Sequence, residues 1–175
     1  MKLSDFIAAN GKPLRKDMGE YVFAQGEEVS SLYLVKSGLL KAYYLSDDGK
    51  ENIKSFILPD DNIGSLMASY AGKTSTFSLV CVKPTELIQV EFKALYEASR
   101  TDAELSSAIV DFLLAFGMKK EIREYELLCL SAEDRYRRLL ENTPELFDHV
   151  TQNDIARYLG ITPVGLSRIK TRINN

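Results

Sequence analysis

The apolar positions of this chain change period twice. From Glu20 to about Phe92 they fall in short runs broken by turn residues: Tyr21-Val22-Phe23-Ala24, Leu32-Tyr33-Leu34-Val35, Leu39 to Leu45, Glu51 to Leu58, Thr76 to Val82 and Glu86 to Phe92. Runs of this kind predict strands. Ser46-Asp47-Asp48-Gly49-Lys50, with Asp-Gly at its centre, predicts a hairpin turn, and Lys83-Pro84-Thr85 separates the last two runs. Many short strands with closely spaced turns predict a small β-barrel or sandwich rather than a parallel sheet. Ahead of them Leu3, Phe6 and Ile7 predict a short helix, followed by a Gly-Lys-Pro loop.

From about Lys93 the period becomes helical. Ala94, Leu95 and Ala98 predict a short helix. A long one is expected to start near Asp102, with Thr101 as its cap. Leu105, Ile109, Phe112 and Phe116 step at four and three residues, and beyond Gly117 the stripe is offset to Met118, Ile122, Tyr125 and Cys129. A helix of ~40 Å at 1.5 Å per residue outruns a small barrel. One side is therefore expected to lie on the barrel and another to pair with a second copy. Leu105, Ile109, Phe112 and Phe116 are assigned to this dimer helix. Gly117 either relieves a close contact or weakens the middle. Ser131-Ala132-Glu133-Asp134 starts a further amphipathic helix, capped by Ser131 and ended by Asn142-Thr143-Pro144.

The stretch Thr151 to Ile173 reads as two short helices joined by a tight turn. Ile155, Leu159, Ile161, Leu166 and Ile169 lie on facing sides of the pair, and Ala156 is small where the helices cross. Gly160 supplies the left-handed residue for the turn. Thr162 can cap the second helix, and Pro163 sits at its first position, where the missing N–H costs nothing. This is a helix-turn-helix, whose second helix would enter a DNA major groove. Rotation about that helix turns Leu166, Ile169 and Ile173 inward and Val164, Ser167, Arg168 and Thr171 outward, with Lys170 and Arg172 flanking. Arg168 can bond a guanine edge or a phosphate, Ser167 a base or a phosphate, and Val164 and the Thr171 methyl can meet a thymine methyl. With Thr151, Gln152 and Thr162 these form the candidate DNA-binding set.

Charge sharpens this picture. Residues 151–175 carry Arg157, Arg168, Lys170 and Arg172 against Asp154, a balance of +3, so the rest of the chain carries −6 to give the overall −3. A basic tip on an acidic body suits a protein that presents one end to phosphate. Cys81 and Cys129 lie in apolar sequence with no CxxC pair, and both are expected to be buried small hydrophobes in a reducing compartment. No metal site is expected. The first residues lack a signal-peptide core and no apolar run is long enough to span a bilayer, which points to the cytoplasm and away from membranes. His149, the single histidine, reads as an ordinary surface residue.

Two groups of motifs carry a resemblance. FAQGEEVSSLYLVKSGLLKAYY, with Gly26, Glu27, Leu32, Tyr33 and Gly38 in place, and AEDRYRRLLENTPEL with DIARYLGITPVGLSRIK, resemble the Crp/Fnr superfamily of bacterial transcription regulators. The last two look like the compact subgroup of Bacteroidetes-type bacteria. The resemblance implies an α+β fold: a cyclic-nucleotide-binding-like sensor β-roll (a double-stranded β-helix of jelly-roll type) over residues 1–100, a long dimerisation helix over 101–130 and an all-α helix-turn-helix domain over 131–175. It further implies a homodimer on a palindromic operator, with RNA polymerase as a candidate partner.

Members that bind cyclic AMP hold its phosphate and ribose with a helix N-terminus, a Gly-Glu pair and an arginine further on. Here Gly64 is kept, Ser65 stands at the Glu position, and the Arg position falls at about Ser75. Lys73 is a displaced charge. A missing charged hydrogen bond costs on the order of 1.5–3 kcal/mol, so weak or absent cyclic-AMP binding is expected and no cofactor is assigned. The pocket either holds a different small molecule, lined by Leu66, Met67, Tyr70 and Phe77, or is vestigial. Heme and iron–sulfur ligands of the family are absent. In the DNA reader, Pro163 and Val164 stand where relatives carry Arg and Glu, while Arg168 matches the family arginine, so the operator should differ. The sequence ends just past the second helix, so wing strands there are not expected.

The leading expectation is thus a dimeric regulator modulated by an unknown effector. The alternative is a small-molecule or protein-sensing module with weak or lost specific DNA binding. An enzyme is the least favoured, since no nucleophile–base pair, carboxylate pair or metal cluster is evident.

Overall fold

The structure, a computed structural model, describes residues 3–174. Expectations that touch Met1, Lys2 and Asn175 lie outside the described residues. Helix α1 (Leu3–Asn10) precedes eight strands: β1 (Lys12–Lys16), β2 (Tyr21–Phe23), β3 (Ser31–Ser37), β4 (Leu40–Leu45), β5 (Glu51–Ile57), β6 (Asn62–Gly64), β7 (Ser78–Cys81) and β8 (Thr85–Glu91), with the short helix α2 (Leu66–Ser69) after β6. They form two antiparallel four-stranded sheets, in the orders β1-β8-β3-β6 and β2-β7-β4-β5. This is the expected β-roll.

Between the sheets lies a core that includes Phe23, Tyr33, Val35, Leu40, Ile57, Phe77, Leu79 and Leu87. Strand β3 shows why its apolar run is continuous rather than alternating. Tyr33 and Val35 face this core, while Leu32 and Leu34 face a second cluster under the helices, so both faces of the strand are covered. Gly38 turns the chain into β4 at φ +97°, and a side chain there would meet the Pro84 carbonyl at 2.5 Å. Gly49 closes the β4–β5 hairpin, where the Ser46 N–H donates to the Lys50 carbonyl at 3.0 Å.

Two strands escaped the sequence reading. The Gly-Lys-Pro segment is no loop: it enters the edge strand β1, with Pro13 opposite Ile88, a position a proline tolerates because it lies at a sheet edge. Strand β6 has only three residues and pairs with β3.

Helices α3 (Phe92–Ser99) and α4 (Ala103–Cys129) follow. Asp102, not Thr101, caps α4: its carboxylate accepts from the Leu105 N–H at 3.0 Å, while the Thr101 hydroxyl donates back to the Ala98 carbonyl. The faces of α4 also differ from the assignment. Leu105 is fully buried beside Leu3, Ile7 and Leu95, and Ile109 and Phe112 pack on the same cluster, so these residues hold α4 to its own roll. Phe116 likewise turns inward, toward Lys54 of β5. The exposed stripe is Val110, Leu114, Met118, Ile122, Tyr125 and Leu128. Cys81 is buried as expected, but Cys129 is exposed at the end of α4, because the offset stripe faces solvent. Beyond its own helical turn, nothing among the described residues lies within 4 Å of a side chain placed at Gly117.

Candidate nucleic-acid interface

Helix α5 (Ala132–Asn142) begins at Ser131, whose hydroxyl accepts from the Asp134 N–H at 3.1 Å. A 3-10 turn (Pro144–Asp148) leads to α6 (Gln152–Leu159) and α7 (Pro163–Asn174). The last two are the helix-turn-helix. Thr151 caps α6 by accepting from the Asp154 N–H at 3.1 Å, and Thr162 accepts from the Gly165 N–H at 3.1 Å at the start of α7. Gly160 is left-handed at φ +70°, and the Ile161 N–H closes on the Ala156 carbonyl, the helix-ending geometry that glycine favours. Ile155, Ala156, Leu159, Leu166 and Ile169 are buried together. Each of these contacts is local, which is why the motif could be read from sequence.

The packing leaves Val164, Ser167, Arg168 and Thr171 exposed along α7. Lys170 donates to the Gln152 side chain at 3.0 Å, and Gln152, Ser167, Lys170 and Thr171 border one depression with Pro163. The α6 N-terminus, with its free N–H groups, thus lies next to the middle of α7. Arg168 has no ion-pair or hydrogen-bond partner among the described residues. Arg172 instead turns toward α5 and pairs with Glu133 at 3.3 Å, which sets it apart from the outward row. His149 accepts from the Lys83 ammonium at 2.8 Å on the surface if its Nδ1 is unprotonated.

The opposite side of α6 is fastened to the roll. The Lys41 ammonium of β4 reaches Asp154 at 2.9 Å and Glu51 at 3.5 Å, and Arg157 reaches Glu51 at 2.7 Å. Leu39, Phe56, Leu58 and Val82 of the roll pack into the helix-turn-helix core, and the Phe56 and Tyr158 rings lie 5.4 Å apart. Sequence reasoning missed this docking surface. Its one signal was a lone lysine inside the apolar run of β4.

The expected effector residues are not gathered. Ser65 is buried, and its hydroxyl caps α2. Ser75 is buried too, with its hydroxyl donating to the Phe77 carbonyl at 2.8 Å. Phe77 belongs to the roll core, whereas Met67, Tyr70 and Lys73 are exposed. Tyr70 stacks edge-on with Phe92 and Tyr96. Gly64 pairs with Leu32 in the sheet, and Leu66 opens α2.

A β-roll joined by a long helix to a helix-turn-helix, whose last helix holds Arg168 outward among small polar side chains, defines a DNA-binding transcription regulator. The chain belongs to the Crp/Fnr superfamily of such regulators: residues 14–102 match the cyclic nucleotide-binding domain. It is 29% identical to the transcriptional activator protein Anr of Pseudomonas protegens, over 98% of this chain and 73% of that protein. It is 30% identical to electron transport regulator A of Shewanella oneidensis, over 96% of this chain and 70% of that one. Its fold is similar to that of FixK2 from Bradyrhizobium japonicum, at a TM-score of 0.82 and 20% identity, covering 94% of this chain and 84% of the other. The first of these relatives is named a transcriptional activator and the second a regulator. Among the described residues no helix is long and apolar enough to cross a membrane.

Proposed function

We propose that two copies of this chain bind a palindromic operator, each laying α7 in a successive major groove. The observation that carries this is the outward row Ser167, Arg168 and Thr171, in which Arg168 is exposed and its guanidinium unpaired among the described residues. A planar donor fork left free on a groove-facing helix suits the paired acceptors of a guanine. Val164 offers no acceptor to a cytosine, so the operator differs from those read by an acidic side chain there. Thr151, Gln152 and Lys170 hold phosphates and fix register.

Dimerisation uses the stripe Val110, Leu114, Met118 and Tyr125, which is apolar and exposed in the single chain. A patch of that kind is more costly on a monomer than in a helix pair. Pairing along it sets the two α7 helices at the ~34 Å spacing of successive grooves. The working division is a sensor roll (1–100), a pairing helix (101–130) and a DNA-binding module (131–175), acting in the cytoplasm and, on the operator, beside RNA polymerase. Cyclic AMP binds weakly or not at all, since serines stand at the Glu and Arg positions and the Ser65 and Ser75 hydroxyls bond local backbone groups. Gel shift against genomic fragments tests the reading: the wild type retards a subset, Arg168→Ala loses it, and unchanged retention by Arg168→Ala contradicts it.

A further inference from the structure

A cleft of about 420 Å³ lies between β5, α4, α5 and α6, where the roll meets the DNA-binding module. Most of the charge on its walls is already engaged. Lys119 of α4 pairs with Asp61 at 3.1 Å, and Arg138 of α5 with Glu126 at 3.6 Å. Arg123 donates to the Tyr158 carbonyl, and Arg135 to the Leu159 carbonyl at 2.9 Å. Lys54 of β5 and Lys120 of α4 stand apart. The described residues give neither nitrogen a carboxylate partner, and the two share a hydrogen bond with each other.

An ammonium has three donors and no acceptor, so that bond needs one of the two nitrogens to keep its lone pair. The surroundings select Lys54. Its Nζ lies 4.1 Å from the centroid of the Phe77 ring and 5.7 Å from that of Phe116. Burial first, and then the Lys120 charge, push it down to about 7. Burial lowers Lys120 too, but its bond to Lys54 acts the other way, which makes Lys120 the donor. At pH 7 about half of the Lys54 side chains are then free amine, against roughly one part in two thousand for an ordinary lysine. The free amine, not the ammonium, is the nucleophile. The cleft wall also carries a buried Asn62 side-chain oxygen with no hydrogen-bond partner, so an N–H is missing there.

We propose that Lys54 is a carbamylation site, where the side-chain amine reversibly adds carbon dioxide and the carbamate formed pairs with Lys120. The nitrogen lone pair makes a C–N bond to the carbon of carbon dioxide, one C=O π pair moves onto oxygen, and the nitrogen gives one proton to solvent. No oxidant or reductant enters. The product is an anion, so two like groups that oppose each other become an ion pair joining β5 to α4. Arg123, one turn along α4, adds positive charge beside Lys120. The carbamate keeps one N–H, the donor that the Asn62 oxygen lacks. Carbamylation does not rest on the DNA-binding reading.

The test equilibrates the full chain with isotope-labelled bicarbonate and then adds triethyloxonium, which converts a carbamate into a stable ethyl carbamate. Peptide mass spectrometry is expected to find the labelled ethoxycarbonyl group on Lys54 and not on exposed lysines. Lys120→Met keeps the amine but removes its counter-charge, so Lys54 labelling should fall by about tenfold; its melting curve without bicarbonate reports that it folds. Bicarbonate should raise the thermal midpoint of wild type above that in equal sodium chloride, and leave that of Lys54→Met unmoved. No label on Lys54, label spread evenly over exposed lysines, unchanged Lys54 labelling in Lys120→Met, or equal bicarbonate shifts in wild type and Lys54→Met would each overturn the proposal.

Discussion

The two cationic groups of this molecule differ in what surrounds them. Along α7, Arg168 is exposed and Lys170 half-buried beside a neutral glutamine, so these groups stay solvated and cost the fold little. In the cleft, Lys54 and Lys120 sit half-buried beside each other. Exposed charge is nearly neutral for stability, whereas enclosed like charge is a liability. The first group is shaped for a large polyanion approaching from outside.

Between them lies a third arrangement, charge that is enclosed and paired, and it gives the largest expected effect. Lys41 and Asp154 are largely buried as an ion pair at 2.9 Å. Asp154→Ala leaves Lys41 with only the longer contact to Glu51, and should cost about 3 kcal/mol in chemical denaturation. A loss below about 0.5 kcal/mol would show that the docking of α6 on the roll contributes little. Arg168→Ala comes next, with specific DNA affinity falling by about 1–3 kcal/mol in anisotropy titration and stability unchanged.

Lys54→Met sharpens the contrast from the other side. It should stabilise the protein by on the order of 1–2 kcal/mol at pH 7. The sign follows from where the proton is held. Between the folded value of about 7 and the ordinary lysine value near 10.4, the unfolded chain carries a proton that the folded chain lacks. Stability from this group therefore rises with pH across that window, and Lys54→Met should flatten the rise. Equal slopes in wild type and variant would sink the assignment. The smallest effect is Lys170→Ala, which should lower DNA affinity a few-fold and reduce the salt slope by about 0.9 if it meets one phosphate.

What sequence revealed and what it hid follow one physical line. The helix-turn-helix was legible because Thr151, Gly160 and Thr162 act through hydrogen bonds spanning three to five residues, and Pro163 through its own fixed φ. The β-roll was legible where runs such as Leu32 to Val35 are long and apolar. Strands β1 and β6 were not, since Lys12–Lys16 is polar and Asn62–Gly64 short, and both exist only by pairing with distant strands. Helix α4 carries apolar residues on both sides, so periodicity could not say which side the roll would take, and Leu105 and Ile109 fell to the inner one. The Lys41–Asp154 pair joins positions 113 apart in sequence, and the cleft draws its cations from three separate elements. No local pattern encodes either.

The most direct test of the central claim is in vitro selection of duplex DNA by the purified full chain, run in parallel with Arg168→Ala. The account predicts that wild type enriches a two-fold symmetric site with half-site centres about 10–11 base pairs apart, and that Arg168→Ala enriches no such site. Enrichment of an asymmetric sequence by wild type, or of the same palindrome by both proteins, would contradict it.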